Sequence, residues 1–239
     1  MKNDETLNVN KNNWENLYSE KTTFLQYPAD WIIRFHNLYL KKNLPSGKVL
    51  DYGCGTGNNS IFFLDKGYEV WGIDVTESYK KLVKANMESR GHNVSLMEKF
   101  AVLSPDAKRL PYEYNFFDLI VANQVLYYLP TEEHIKKIVQ GFHRCLKPGG
   151  TVFITMMGPK NYYIVYHAKQ ILNNNVYEIH FDDPNDRLKG YREFIYLVRD
   201  ESELCHLFSE FTPVNIGYLD QGLFTVKSNF HWIFVGQKK

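Results

Sequence analysis

Val49-Leu50-Asp51-Tyr52-Gly53-Cys54-Gly55-Thr56-Gly57-Asn58-Asn59 is the stretch on which the fold turns. Two apolar residues lead into an acid, and three glycines then alternate with other residues. Glycine supplies the positive φ of a tight turn and lets the backbone come close to a ligand. The run "KVLDYG" has the apolar character of a short buried strand, and "NNSIFFLDKG" after the turn has that of a short helix stopped by Gly67.

The alternation continues downstream. "EVWGIDV" is a second strand, "ESYKKLVKANMESRG" a helix with Tyr79, Leu82 and Val83 on one face, "KFAVLS" a third strand and "FFDLIVANQV" a fourth. In "TEEHIKKIVQGFHRCL", Ile135, Ile138, Val139, Phe142 and Leu146 keep the i, i+3, i+4 spacing and Thr131 is placed to cap the helix. "KPGG" turns the chain into a fifth strand, "TVFITMM". Strands apolar throughout, alternating with helices, predict a parallel sheet covered on both faces. Upstream, apolar residues recur at helical spacing from Trp14 to about Lys42, while the first dozen residues are expected to be mobile. The predicted organisation is an N-terminal helical arm or lid over 1–43 and a main domain over 44–239, with a Tyr- and Asn-rich cap inserted after the fifth strand at 158–192.

Ligands of parallel α/β sheets bind beyond the carboxyl ends of the strands, which is where the glycine turn lies. A phosphate-cradling loop needs a lysine after its last glycine, and none follows Gly57. A dinucleotide loop needs GxGxxG, but position 58 is Asn. Asp51 would also repel a pyrophosphate. It suits the ammonium and sulfonium of S-adenosylmethionine. A β–α turn that binds nothing is the plain alternative. Asp74, ending the second strand, is placed to accept ribose hydroxyls, and Asp106 with the Ala107 N–H to meet an adenine edge.

The four runs "VLDYGCGTG", "GID", "DAKRLPYEYNFFDLI" and "LKPGGTVFI", in that order over about 47–157, resemble the motifs of class I S-adenosylmethionine-dependent methyltransferases. The resemblance implies a doubly wound, mostly parallel seven-stranded Rossmann-like sheet with helices on both faces. Its last strand, antiparallel, would be "SNFHWIFVGQKK". It implies S-adenosylmethionine as cofactor, held by Tyr27, Asp51, Gly53, Cys54, Gly55, Asp74, Val75, Asp106, Ala107 and Asn123. The arm also resembles methyltransferases of bacterial surface-carbohydrate and secondary metabolism. The implied activity is methyl transfer to a small molecule, at oxygen rather than nitrogen. A non-catalytic cofactor-binding or regulatory protein on the same fold is the alternative.

Arg34 is a candidate partner for an anionic group on the acceptor, and Tyr127 and Tyr128, after the fourth strand, are candidates to shape its pocket. His36, His167 and His180 lie in the lid segments and are the candidate proton acceptors. His134, His143 and His231 are read as surface or packing residues. Asp182, Asp183 and Asp186 are read as a solvated face, so no metal is expected. With 28 basic against 27 acidic residues the net charge is +1, and no basic field or (N/D/S)PP(Y/F/W) run points to nucleic acid. Three widely spaced cysteines form no zinc pattern. No run approaches the roughly 20 apolar residues of a spanning helix, and the polar start is unlike a signal peptide. A cytoplasmic protein without nucleic-acid or membrane partners is expected, its oligomeric state open.

Overall fold

The computed structural model describes residues 3–20, 27–104, 107, 109–171, 175–182, 189–222 and 228–239. Helix α1 (Asn3–Glu20) comes first. The expectation of mobility over the first dozen residues fails: this segment is helical and its Leu7 and Asn10 are buried. Helix α2 (Asp30–Phe35) continues through a π-turn (His36–Leu40) into α3 (Lys41–Asn43). The main sheet then builds from β1 (Lys48–Tyr52), α4 (Asn58–Asp65), β2 (Glu69–Asp74), α5 (Tyr79–Ser89), β3 (Phe100–Val102), β4 (Phe117–Ala122), α6 (Glu132–Cys145) and β5 (Leu146–Met157). Next come α7 (Tyr162–His167), β6 (Ala168–Ile171), β7 (Val176–His180) and β8 (Arg192–Tyr196). Helix α8 (Glu201–Leu207), β9 (Thr212–Leu219) and β10 (His231–Gln237) follow.

The main sheet has seven strands in the order β3-β2-β1-β4-β5-β10-β9. The first five are parallel, and β10 runs antiparallel to both β5 and β9. This is the doubly wound, seven-stranded arrangement that the family resemblance implies. Side chains of successive strand residues point to opposite faces. Thus Leu50 and Tyr52 pack with Ile135, Val139 and Phe142 of α6 on one face, while Val49 packs with Ile32, Phe63 and Val83 of α2, α4 and α5 on the other. Thr131 caps α6 by accepting the His134 N–H. Asp118 ties the lower end of β4 by accepting the Lys48 N–H and pairing with Lys147.

A second sheet, β6-β7-β8, is antiparallel throughout. "EFIY" (193–196) therefore joins the cap rather than the main sheet. Helix α1 ties this cap to the core. The Asn10 amide donates to the carbonyls of Tyr128 and Phe194 and accepts the Phe194 N–H, each at 2.8 or 2.9 Å. Asn13 donates to the Arg192 carbonyl at 2.5 Å. On the opposite side the Ser78 hydroxyl donates to Glu15. Removing Asn10 strands buried backbone groups, at about 1–3 kcal/mol. Asn10→Ala is accordingly expected to lower unfolding free energy by about 3 kcal/mol in urea titrations; a loss below about 1 kcal/mol would show that this clamp does not hold the cap.

Candidate active site

The carboxyl ends of β1, β2 and β4 open into a cleft whose roof is α1. It holds about 740 Å³ of atom-free space, its open mouth included. Its floor and walls are Tyr52, Gly53, Ile73, Asp74, Val75 and Leu103, with Gln124, Val125, Tyr128 and Leu129 after β4. The roof is Leu7, Asn10, Lys11, Trp14 and Tyr18.

The glycine turn is shaped by close approach. Gly53 has φ +73°, and a Cβ there would lie 2.3 Å from Val125 Cγ2; at Gly55, φ +52°, it would lie 2.9 Å from the Tyr18 hydroxyl. Only glycine meets both demands at Gly53. Asp51 points to the α4 face of β1. Its Oδ2 accepts the Ser60 hydroxyl at 2.5 Å, while its Oδ1 is buried with no hydrogen-bond partner. Burial pushes its pKa up to about 7, against the opposing Ser60 bond. Asp74 is buried too. Its carboxylate accepts the N–H groups of Gly55 (2.8 Å) and Val75 (2.7 Å), and burial raises its pKa to about 6.

These features fit S-adenosylmethionine. The unsatisfied Asp51 oxygen suits a cationic group, Asp74 suits ribose hydroxyls, and the turn leaves the backbone bare. Of the residues expected to hold the cofactor, Gly53, Asp74 and Val75 line the cleft, with Asp51 and Gly55 immediately behind. Cys54 is buried under the turn, its thiol pushed up by burial. The Asn123 amide oxygen is taken by Trp31 Nε1 at 2.7 Å and Thr155 Oγ1 at 3.3 Å, and its neighbours Gln124 and Val125 face the cleft instead. The Ala107 N–H donates to the Ser104 carbonyl. Asp106 lies outside the described residues. Tyr27 is 70% exposed and off the cleft.

Tyr128 is on the cleft wall, edge-on to Trp14 at 5.3 Å; Tyr127 is behind it, 4.6 Å between ring centres. Arg34 does not line the cleft and is paired with Asp30 on the exposed side of α2. The three candidate histidines are not brought together. His36 packs edge-on against Phe62 and Tyr68. His167 sits among Tyr162, Tyr163 and Phe181 on the cap. His180 pairs with Glu178 at 3.1 Å. Asp182 pairs with Lys169, and Asp183 and Asp186 lie outside the described residues. The arm was expected as a lid; what sequence reasoning missed is that α1 begins ahead of Trp14 and lines the cleft with Leu7, Asn10 and Lys11, for which the spacing 7, 11, 14, 18 was the signal.

The sheet order, with carboxylates at the ends of β1 and β2, has the arrangement of the class I S-adenosylmethionine-dependent methyltransferase fold. Residues 50–154 match the family model described as a methyltransferase domain. A solved S-adenosylmethionine-dependent methyltransferase from Methanosarcina mazei has the same fold, with a TM-score of 0.68 at 21% identity over 89% of this chain and 98% of that one. The chain is 32% identical over 136 residues to the ubiquinone biosynthesis O-methyltransferase of Pseudomonas syringae pv. tomato, covering 56% of this chain and 55% of that protein. It is 36% identical over 121 residues to the tRNA (carboxymethyluridine(34)-5-O)-methyltransferase of Arabidopsis thaliana, covering 48% of this chain and 25% of that protein. The chain thus spans about half or less of the length of these curated relatives. Residues 50–154 thus match a methyltransferase domain, and the solved neighbour that shares the fold is an S-adenosylmethionine-dependent methyltransferase. Among the described residues no helix is long and apolar enough to cross a membrane.

Asp51 carries a pH signature. Its folded pKa, about 7, exceeds the ordinary 3.8, so the native state holds more protons than the unfolded one between these values. Stability then falls as pH rises through that window, by an upper limit of ~4 kcal/mol. Asp51→Asn mimics the neutral acid. In urea titrations without ligand it is expected to exceed the parent by about 2 kcal/mol or more at pH 8 and by a clearly smaller margin at pH 4–5; an equal difference at both pH values would refute the assignment.

Proposed function

We propose that the protein transfers a methyl group from S-adenosylmethionine to a small-molecule acceptor, at oxygen. The observation that carries this reading is the lining of the cleft: the buried Asp74 carboxylate and the Gly53 turn share it with the apolar and aromatic side chains of Leu7, Trp14, Tyr128 and Leu129. The Pseudomonas relative's name favours oxygen.

The cofactor supplies a methyl group already activated on a sulfonium. The chain's residues bind, orient and exclude water. Asp74 would take ribose hydroxyls in competition with the Gly55 N–H, and Asp51 Oδ1 would face the cationic methionine end. The aromatic roof closes the acceptor end to solvent. Burial and then the charge of Glu193 push the Tyr128 hydroxyl well up, so it stays protonated and is available to orient the accepting atom. None of His36, His167 and His180 lines the cleft, so proton removal by them is not part of this mechanism. In this reading the acceptor side is supplied by the arm, through the cleft-lining residues of α1, and by the cap, whose strand β8 is bonded to Asn10 and Asn13 of that helix.

Radiolabel transfer from S-adenosylmethionine into a panel of small hydroxylated acceptors and into bulk tRNA tests the reading. Label in small molecules is the expected result. Label in tRNA alone would favour the second reading, an RNA acceptor, for which the Arabidopsis relative is the support. Label in neither, with S-adenosylhomocysteine bound, would favour the non-catalytic alternative. Asp74→Ala is expected to weaken S-adenosylhomocysteine binding at least tenfold in calorimetry while leaving the far-UV spectrum intact. Unchanged affinity would move the ribose elsewhere.

A further inference from the structure

We propose that Lys11 anchors an anionic group on the methyl acceptor, so that the acceptor is a small organic acid with an apolar or aromatic body. The proposal rests on the methyltransferase reading and names the substrate class for its cleft.

Lys11 lies on the inner face of α1 between Leu7 and Trp14, and all three line the cleft. Residues three and four apart on a helix are neighbours, so the lysine stem runs beside the apolar end of the site. Its backbone is held in place. Asn10 is fastened to Tyr128 and Phe194, Asn13 to Arg192, and Glu15 to Ser78. A cation on this short segment is therefore carried over the cleft rather than swinging freely at the surface.

Its charge is also uncommitted. Arg34 is met by Asp30 at 2.6 Å, Lys147 by Asp118 at 2.7 Å and Arg192 by Glu178 at 3.0 Å. Among the described residues Lys11 has no such partner within ion-pair distance, although the carboxylate of Asp74 lines the same cleft. The two buried acids serve the floor, where the cationic end of the cofactor belongs. A half-buried lysine one turn from Leu7 and Trp14 on the same helix gains most from a ligand that brings an anion to it and lays an apolar body along Tyr128 and Leu129. Arg34, the cation that the sequence nominated for this role, is off the cleft; Lys11 is in it.

The cofactor's own carboxylate is the other source of a matching anion, and the test separates the two. Benzoate and its neutral analogue benzamide are titrated calorimetrically into protein saturated with S-adenosylhomocysteine, using the parent, Lys11→Gln and Lys11→Arg. Benzoate is expected to bind the parent at least tenfold more tightly than benzamide. The preference should vanish in Lys11→Gln and survive in Lys11→Arg, with S-adenosylhomocysteine affinity within twofold of the parent in both. The proposal is overturned if the parent does not prefer benzoate, if the preference survives in Lys11→Gln, or if Lys11→Gln weakens S-adenosylhomocysteine tenfold, which would give the lysine to the cofactor. Should the parent bind no S-adenosylhomocysteine, the methyltransferase reading fails by itself, and the same titrations on the free protein still decide the anchor.

Discussion

The buried carboxylate at the end of β1 is the constraint on which the site depends. Asp51 is surrounded by fully buried neighbours, Val49 and Leu50 on its own strand and Ser60 on α4. One of its oxygens is satisfied and the other is not. A charge in that position is disfavoured by several kcal/mol unless it is paired, and the protein relieves the cost by holding the proton. The site is thus poised for a cationic ligand: an ammonium near Oδ1 supplies the pairing that the fold withholds. The adjacent parallel strand β2, with Asp51 opposite Gly72 and Tyr52 opposite Ile73, brings Asp74 to the same end of the sheet.

The core and the roof are held by different forces. Two apolar clusters, one on each face of the sheet, fix the strands and with them the two carboxylates. Helix α1 packs Leu7 and Tyr18 into these clusters and is also fastened by polar side chains to backbone or hydroxyl partners on both sides of the cleft. Such bonds contribute only about 1 kcal/mol each net, yet they are directional. They set the rotation of the helix, and with it which residues look down on the ligand. That division lets the floor be rigid while the roof decides what lies opposite it.

Much of the sheet was legible because its signals are local. Continuous apolar strands, glycine stops and the stripe of α6 need no knowledge of distant residues. The glycine turn was legible for the same reason, since alternating glycines and an acid constrain both conformation and charge. The roof was not. Asn10 reads as a loop residue in "NVNKNN", and its meaning lies in a bond to Phe194, 184 positions away. The cap sheet was hidden likewise, because β7 and β8 pair across a highly charged stretch, residues 181–191. The histidines show the limit most sharply. Position in a lid segment says nothing of direction, and His36, His167 and His180 turn to three separate neighbourhoods.

A net charge of +1 conceals how charge is placed. It argues against a broad field that would gather polyanions, but it is silent about a cleft a few ångströms across. There the carboxylates sit in the floor, and the one roof residue that carries a formal charge is a cation. A ligand with separated charges is oriented by such a site before any specific bond forms, because each end is attracted to one wall and repelled by the other. The acids come from the strand ends, which the fold dictates. The lysine comes from a helix whose inward face is free to vary without disturbing the sheet. In the proposed reading, donor recognition belongs to the ends of the parallel strands, and acceptor recognition to the helix laid across them.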